Sequence, residues 1–246
     1  MTDQNTIMQP YIEKDDRLGV TYVWHNAVVE HRQLTHRGTL VEMIRRPIWG
    51  VSCYMDGVIQ SCEMDEKIYH RALTGRILGL EPKSVCILGG GEGATAREVL
   101  ADPFVGRVDM IEWDADVVAL FSGDKYPGWA QGAFADPRLK VENTDVFEAC
   151  RENRSYDAVI IDLFEPEDMA GDGLVDWIAC LLRVVGWARR GVSIYAGMSA
   201  DNLSVIKKVL QYNGFTGIQH YSVYVPSFMG EAYFVWGLAA GVRQGV

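Results

Sequence analysis

Short apolar runs alternating with polar residues fill the first quarter of the chain. Val20–Trp24, Val28–Leu34, Leu40–Ile44, Val51–Met55 and Val58–Cys62 each read as a strand, since successive side chains on a pleated backbone face opposite ways. Gly38, Pro47, Gly50 and Asp56-Gly57 separate the runs, and Asp-Gly between two such runs marks a hairpin. The pattern predicts a small antiparallel β-strand module over residues 1–62, with residues 1 to about 15 polar and poorly ordered.

The period then changes. Ile68, Ala72, Leu73, Ile77 and Leu80 share one face of a helix predicted over Glu66–Leu80, which Gly79 and Pro82 bring to an end. Beyond it, strands and helices take turns. Strands fall at Ser84–Leu88, Arg107–Ile111, Leu139–Val141, Ala158–Ile161 and Val192–Ala196. Helices fall at Ala94–Ala101, Asp114–Phe121 and Leu174–Ala188. Another helix, N-capped by Ser199 or Asp201, runs to about Tyr212, and strands Ile218–Val225 and Tyr233–Leu238 finish the series. Such alternation predicts an α/β, Rossmann-like, doubly wound and mostly parallel sheet over residues 63–246.

Composition narrows the function classes. Hydrophobic residues make up 48% of the 246, enough for a sizeable core. The net charge of −10 repels phosphates, so no nucleic-acid partner is expected, and it suits a cationic small substrate. Five cysteines without a CxxC pair read as reduced thiols of a cytoplasmic protein. No apolar run reaches about 18 residues, so no membrane span is expected. His25, His31 and His36 lack the pairing of a metal site, and none is expected.

Three strand ends carry candidate chemistry. Gly89-Gly90-Gly91-Glu92-Gly93 joins a strand to a helix, where the lack of Cβ atoms lets backbone approach a ligand; Gly89, Gly91 and Gly93 are the binding candidates. Glu112 ends the next strand, about 20 residues on, where an acid binds ribose hydroxyls. Asp145 follows the third strand, and the three together suit adenosine. Ala94 breaks the GxGxxG pattern, and the Glu92 carboxylate opposes a pyrophosphate. An S-adenosyl sulfonium ligand is therefore preferred to a dinucleotide.

The fourth strand runs into Asp162-Leu163-Phe164-Glu165-Pro166, with Glu167, Asp168 and Asp172 beyond it. An amine of pKa about 10 is a cation at neutral pH and cannot attack until it loses a proton. Paired carboxylates can attract it, hold it and accept that proton. Met169–Gly173 has the composition of a lid. Trp113 is placed either against the adenosine or in the core.

Five stretches resemble the polyamine aminopropyltransferase family, spermidine synthase and its relatives: residues 55–70, 84–100, 129–145, 156–168 and, more faintly, 224–239. GGGEG and WxQGAF look closest to the triamine/agmatine aminopropyltransferase and thermospermine synthase members. The resemblance implies a class I S-adenosylmethionine-type transferase fold with no permanently bound cofactor. Decarboxylated S-adenosylmethionine is then the co-substrate, a polyamine the acceptor and methylthioadenosine the product. It implies Asp162 as base or amine anchor, Glu165 on the far part of the acceptor, and Tyr69, His70 and Gln60 lining the amine and donor pocket. It further implies Glu112 on the ribose, Asp145 with Val146 at the adenine edge, Glu92 on the donor's terminal amine, and a homodimer or homotetramer. The family's DxxDP has Glu165 for its second Asp here, Phe164 is bulky, Thr39 stands where a glutamine is common, and the region after Pro166 is short. Methyl transfer and a non-catalytic role are the alternatives on the same fold.

Overall fold

The computed structural model describes residues 10–163 and 172–242, in two compact units. The first unit runs to Glu66 and also takes in Pro226–Phe228. It holds an antiparallel pair, β1 (Tyr11–Asp15) and β2 (Val20–Trp24). A four-stranded antiparallel sheet follows, β3 (Val28–Leu34), β4 (Leu40–Arg46), β5 (Gly50–Met55) and β6 (Val58–Cys62), paired in sequence order. Asp56 and Gly57 both have positive φ, 50° and 82°, between the paired Met55 and Val58. That is a two-residue turn whose twist matches the flanking strands.

β1 lies where a poorly ordered segment was expected. The reason is a polar residue facing inward, which hydrophobic periodicity does not register. Glu13 is buried and accepts hydrogen bonds from Trp24 Nε1 at 2.6 Å and Tyr54 Oη at 2.9 Å. The fully buried Arg46 comes within 3.7 Å of Glu13, donates to Ser52 and lies over the rings of Trp24 and Trp49 at 4.3 and 5.0 Å. Asp65 binds the short turn Pro226–Phe228: it accepts from Ser227 N at 2.6 Å and Ser227 Oγ at 2.9 Å.

The second unit is a seven-stranded sheet. Its strands are β7 (Ser84–Gly89), β8 (Arg107–Glu112), β9 (Leu139–Asn143), β10 (Tyr156–Asp162), β11 (Ala188–Gly197), β12 (Thr216–Val225) and β13 (Gly230–Leu238). Their order is β12-β13-β11-β10-β7-β8-β9; β13 is antiparallel to both neighbours and the other pairs are parallel. The chain starts in the middle at β7, builds outward through β8 and β9, then returns to add β10 on the other side of β7. Beyond the carboxyl ends of β7 and β10 is the switch point, where such sheets bind ligands.

The helices are α1 (Glu66–Leu78), α2 (Ala94–Leu100), α3 (Ala115–Ser122), α4 (Pro127–Ala130), α5 (Val146–Ala149), α6 (Asp172–Val185) and α7 (Leu203–Tyr212). Trp177, Leu181 and Val184 of α6 and Ile206 and Leu210 of α7 pack with Leu88, Val159, Ile161 and Ile194 of the sheet in one buried cluster. Three local expectations change. Ile68 is 43% exposed, so the buried face of α1 rests on Leu73 and Ile77. α6 stops before Gly186, a poor helix former, and β11 begins at Ala188. Asn202 takes the N-cap position of α7 without a side-chain capping bond and donates to Ala196 O at 3.0 Å, while Ser199 and Asp201 bond each other. Among the described residues no helix is long and apolar enough to cross a membrane, and no group of three or more His, Cys, Asp or Glu side chains could hold a metal ion.

Candidate active site

β7 delivers the glycine loop and β10 delivers Asp162 side by side, because Gly89 pairs with Asp162 in the parallel register. Gly89 has φ +81°, and a Cβ there would sit 1.9 Å from the Asp162 carbonyl oxygen. Only glycine lets these two strand ends meet. At Gly91 a Cβ would fall 2.9 Å from Glu112 Oε2, the oxygen that accepts the Gly91 N–H at 3.0 Å.

Glu112, buried at the end of β8, also accepts from Asp114 N through Oε1 at 3.0 Å. Burial raises its pKa, against the pull of the backbone N–H groups of Asp114, Gly91 and Trp113. Each carboxylate oxygen has capacity for a further donor, so the loop-holding role and a ribose contact are compatible. Trp113 is 44% exposed, which removes the core-packing alternative for it. Asp145 caps α5, accepting from Phe147 N at 2.8 Å, and Val146 is buried behind it.

Asp162 is partly buried and holds two hydroxyls. Tyr69 of α1 donates to Oδ1 at 2.6 Å, and Thr95 of α2 donates to Oδ2 at 2.9 Å. Thr95 Oγ1 is in turn 3.0 Å from His70 Nδ1, and His70 Nε2 is 2.8 Å from Glu92 Oε1. Glu92 and Asp162 thus share one chain of contacts around the glycine loop. Burial raises the Asp162 pKa; the His70 charge and the Tyr69 and Thr95 hydrogen bonds oppose the rise, and Glu92 reinforces it. Tyr69 is held well above its ordinary value by burial first and then by Asp162, so it remains a hydrogen-bond donor. Its ring sits edge-on to Tyr195 and Phe234, each at 5.3 Å.

Of the remaining expected residues, Gln60 lies in the first unit on β6, and its side chain donates to Val58 O at 3.2 Å. Glu165 and residues 169–171 of the expected lid lie outside the described residues, while its last two residues, Asp172 and Gly173, begin α6. Thr95 and Tyr195 are the site neighbours that sequence reasoning missed. Thr95 stands two residues past the loop's last glycine, in a helical first turn where threonine is unremarkable. The arrangement can do two things chemically: hold a nucleoside beside the loop, and offer Asp162 to a cation and its proton.

Residues 64–176 match the family model described as the spermine/spermidine synthase domain. The chain is 34% identical over 221 residues to polyamine aminopropyltransferase 1 of Hyperthermus butylicus, covering 85% of this chain and 74% of that protein. It is 33% identical over 217 residues to the polyamine aminopropyltransferase of Sulfurisphaera tokodaii, covering 85% and 69%. The spermidine synthase structure from Thermotoga maritima superposes with a TM-score of 0.77 over 98% of this chain and 83% of that one, at 22% identity, a likeness of fold. A spermidine synthase in complex with the transition-state analogue AdoDATO superposes at 0.76, also at 22% identity and over 99% and 82% of the two chains. On the strength of the sequence relatives, the chain belongs to the spermine/spermidine synthase family, alongside the polyamine aminopropyltransferases.

Proposed function

We propose that the chain is an aminopropyltransferase that moves the aminopropyl group of decarboxylated S-adenosylmethionine to an amine acceptor (putrescine, agmatine or a longer polyamine) and releases methylthioadenosine. The observation that carries this reading is Asp162 at the mouth of β10, held by Tyr69 and Thr95 and set against the loop that bears Glu92. Gly90 lies beside the Asp162 carboxylate: a Cβ there would be in ordinary contact with Oδ2, at 3.7 Å.

In this mechanism the nucleoside lies along the loop, with Glu112 on the ribose, Asp145 and Val146 at the adenine edge, and Gly89, Gly91 and Gly93 allowing close backbone approach. Glu92 binds the donor's terminal ammonium; its charge disfavours the carboxylate of ordinary S-adenosylmethionine. Asp162 attracts the acceptor ammonium and takes one proton from it; its raised pKa makes it a better base than an exposed carboxylate. The nitrogen lone pair then attacks the aminopropyl carbon bonded to sulfur. The C–S bond breaks, its electrons neutralise the sulfonium, and the new secondary amine leaves protonated. Positioning of nitrogen, carbon and sulfur in line supplies much of the rate. Tyr69 and His70 line the acceptor and donor site in this reading, and the family resemblance adds Glu165 and Gln60 as candidate substrate contacts.

The test is a mass-spectrometric screen of putrescine, agmatine, cadaverine, spermidine and norspermidine with the decarboxylated donor. Methylthioadenosine release with at least one acceptor is expected. Release with none overturns the proposal, and tighter calorimetric binding of ordinary S-adenosylmethionine than of the decarboxylated form points to methyl transfer instead.

A further inference from the structure

We infer that Thr95 is a positioning residue, whose single hydroxyl proton goes to Asp162 and thereby fixes a proton on Nδ1 of His70; the catalytic part of this inference rests on the aminopropyl-transfer reading. The inference comes from counting protons along the chain of contacts. Thr95 is fully buried, and its Oγ1 has two polar neighbours, Asp162 Oδ2 at 2.9 Å and His70 Nδ1 at 3.0 Å. A hydroxyl donates one hydrogen and can accept others. An ionised Asp162 can only accept, so it receives the Thr95 proton. His70 Nδ1 must then be the donor toward Thr95, which places a proton on Nδ1.

The other ring nitrogen, Nε2, lies 2.8 Å from Glu92 Oε1, a charge contact that the Thr95 count does not decide. Without the Thr95 hydroxyl, Nδ1 loses its acceptor and Asp162 loses one of its two hydroxyl donors. A buried threonine that served packing alone would have no need to lie between two polar atoms.

The groups facing Asp162 among the described residues are Tyr69 and His70 from α1, Thr95 from α2 and Glu92 from the glycine loop, with Tyr195 of β11 beyond Tyr69. The donors Tyr69 and Thr95 favour the ionised base, so removing Thr95 raises the pH at which the base is lost.

The experiment compares the wild-type chain with Thr95→Val, which keeps the branched shape and deletes the hydroxyl, and Thr95→Ser, which keeps the hydroxyl. For Thr95→Val the acidic limb of kcat/KM moves to higher pH by about one pH unit, from the loss of one hydrogen bond to a charged group. Its kcat falls about tenfold, for the same reason, while the calorimetric Kd for the decarboxylated donor changes less than about threefold, since Thr95 acts on the base. Thr95→Ser restores the wild-type limb. In parallel, nitrogen-15 NMR of the imidazoles in ligand-free protein at neutral pH shows His70 protonated at Nδ1 in the wild type and altered there in Thr95→Val. A Thr95→Val pH profile that superimposes on wild type, or a folded Thr95→Ser that behaves like the valine variant, overturns the inference. A wild-type His70 that is neutral with its proton on Nε2 also overturns it, even where the valine variant fails to fold. If the wild type releases no methylthioadenosine, the transferase reading fails separately and the NMR result still decides the placement of the protons.

Discussion

Asp162→Asn separates chemistry from folding. Asparagine keeps the shape of the side chain and removes its charge. Both of its hydrogen-bond partners are hydroxyls, Tyr69 at 2.6 Å and Thr95 at 2.9 Å, and hydroxyls rotate. The new amide can donate to one while its carbonyl accepts from the other, so no buried polar atom is stranded. Two stability terms then oppose each other. The variant escapes the burial cost that raises the Asp162 pKa, worth about 1.4 kcal/mol for each pH unit of displacement. It also loses the extra strength of two charge-assisted hydrogen bonds, about 1 kcal/mol apiece. The net change in unfolding free energy at neutral pH is therefore within about 1 kcal/mol of zero. Turnover has no such offset. Without the base, the acceptor stays an ammonium with no lone pair, and loss of general base catalysis costs about 10²–10⁴-fold. The assay is methylthioadenosine release at saturating donor and acceptor, run beside a denaturant melt and donor calorimetry on the same preparation. Turnover down by at least ~100-fold with the melt and donor affinity nearly unchanged is the expected outcome. A variant that turns over within about fivefold of wild type refutes the base assignment, and one that loses its fold refutes the hydroxyl-rotation argument.

Glu92→Gln keeps an oxygen for His70 and deletes the charge that disfavours a carboxylated donor; calorimetry is expected to show the preference for decarboxylated over ordinary S-adenosylmethionine narrowing by about tenfold or more. Gly89→Ala forces a Cβ to within 1.9 Å of the Asp162 carbonyl oxygen at φ +81°, so urea melts are expected to show a loss of about 3 kcal/mol or more, and an alanine variant of wild-type stability contradicts the strand-end geometry. The pH dependence of stability carries a definite sign. Because burial raises the Asp162 pKa, the folded state binds more protons than the unfolded state between the ordinary aspartate range and the raised value. Wild-type stability, measured relative to Asp162→Asn, therefore increases as pH falls through that window and levels off below it; a difference that stays constant with pH is incompatible with a raised pKa at Asp162.

Where one physical requirement dominates a position, the sequence is legible. The glycine loop was readable because strand ends that touch exclude a Cβ, as the contact between Gly89 and Asp162 demonstrates. Glu112 was readable because the length of a helical crossover places it near the loop. β7 and β10, buried on both faces, announce themselves as continuous apolar runs. β1 was opaque because its inward residue is Glu13, a carboxylate satisfied by residues from two other strands. The start of α7 was misplaced because Ser199 and Asp201 have the side chains of caps but bond each other, and Asn202 takes the position without a side-chain capping bond. Thr95 gave no signal at all: its partners stand 25 and 67 residues away, and no local pattern encodes such distances.

The bond between Asp65 and Ser227 spans 162 residues. A ribosome releases Asp65 long before it makes Ser227, so this carboxylate waits through 162 residues of synthesis for its partner. The first unit is consequently not a self-sufficient folding event, because residues 226–228 belong to it. Its closure is a long-range step, of the kind that slows folding more the longer the chain it must loop out.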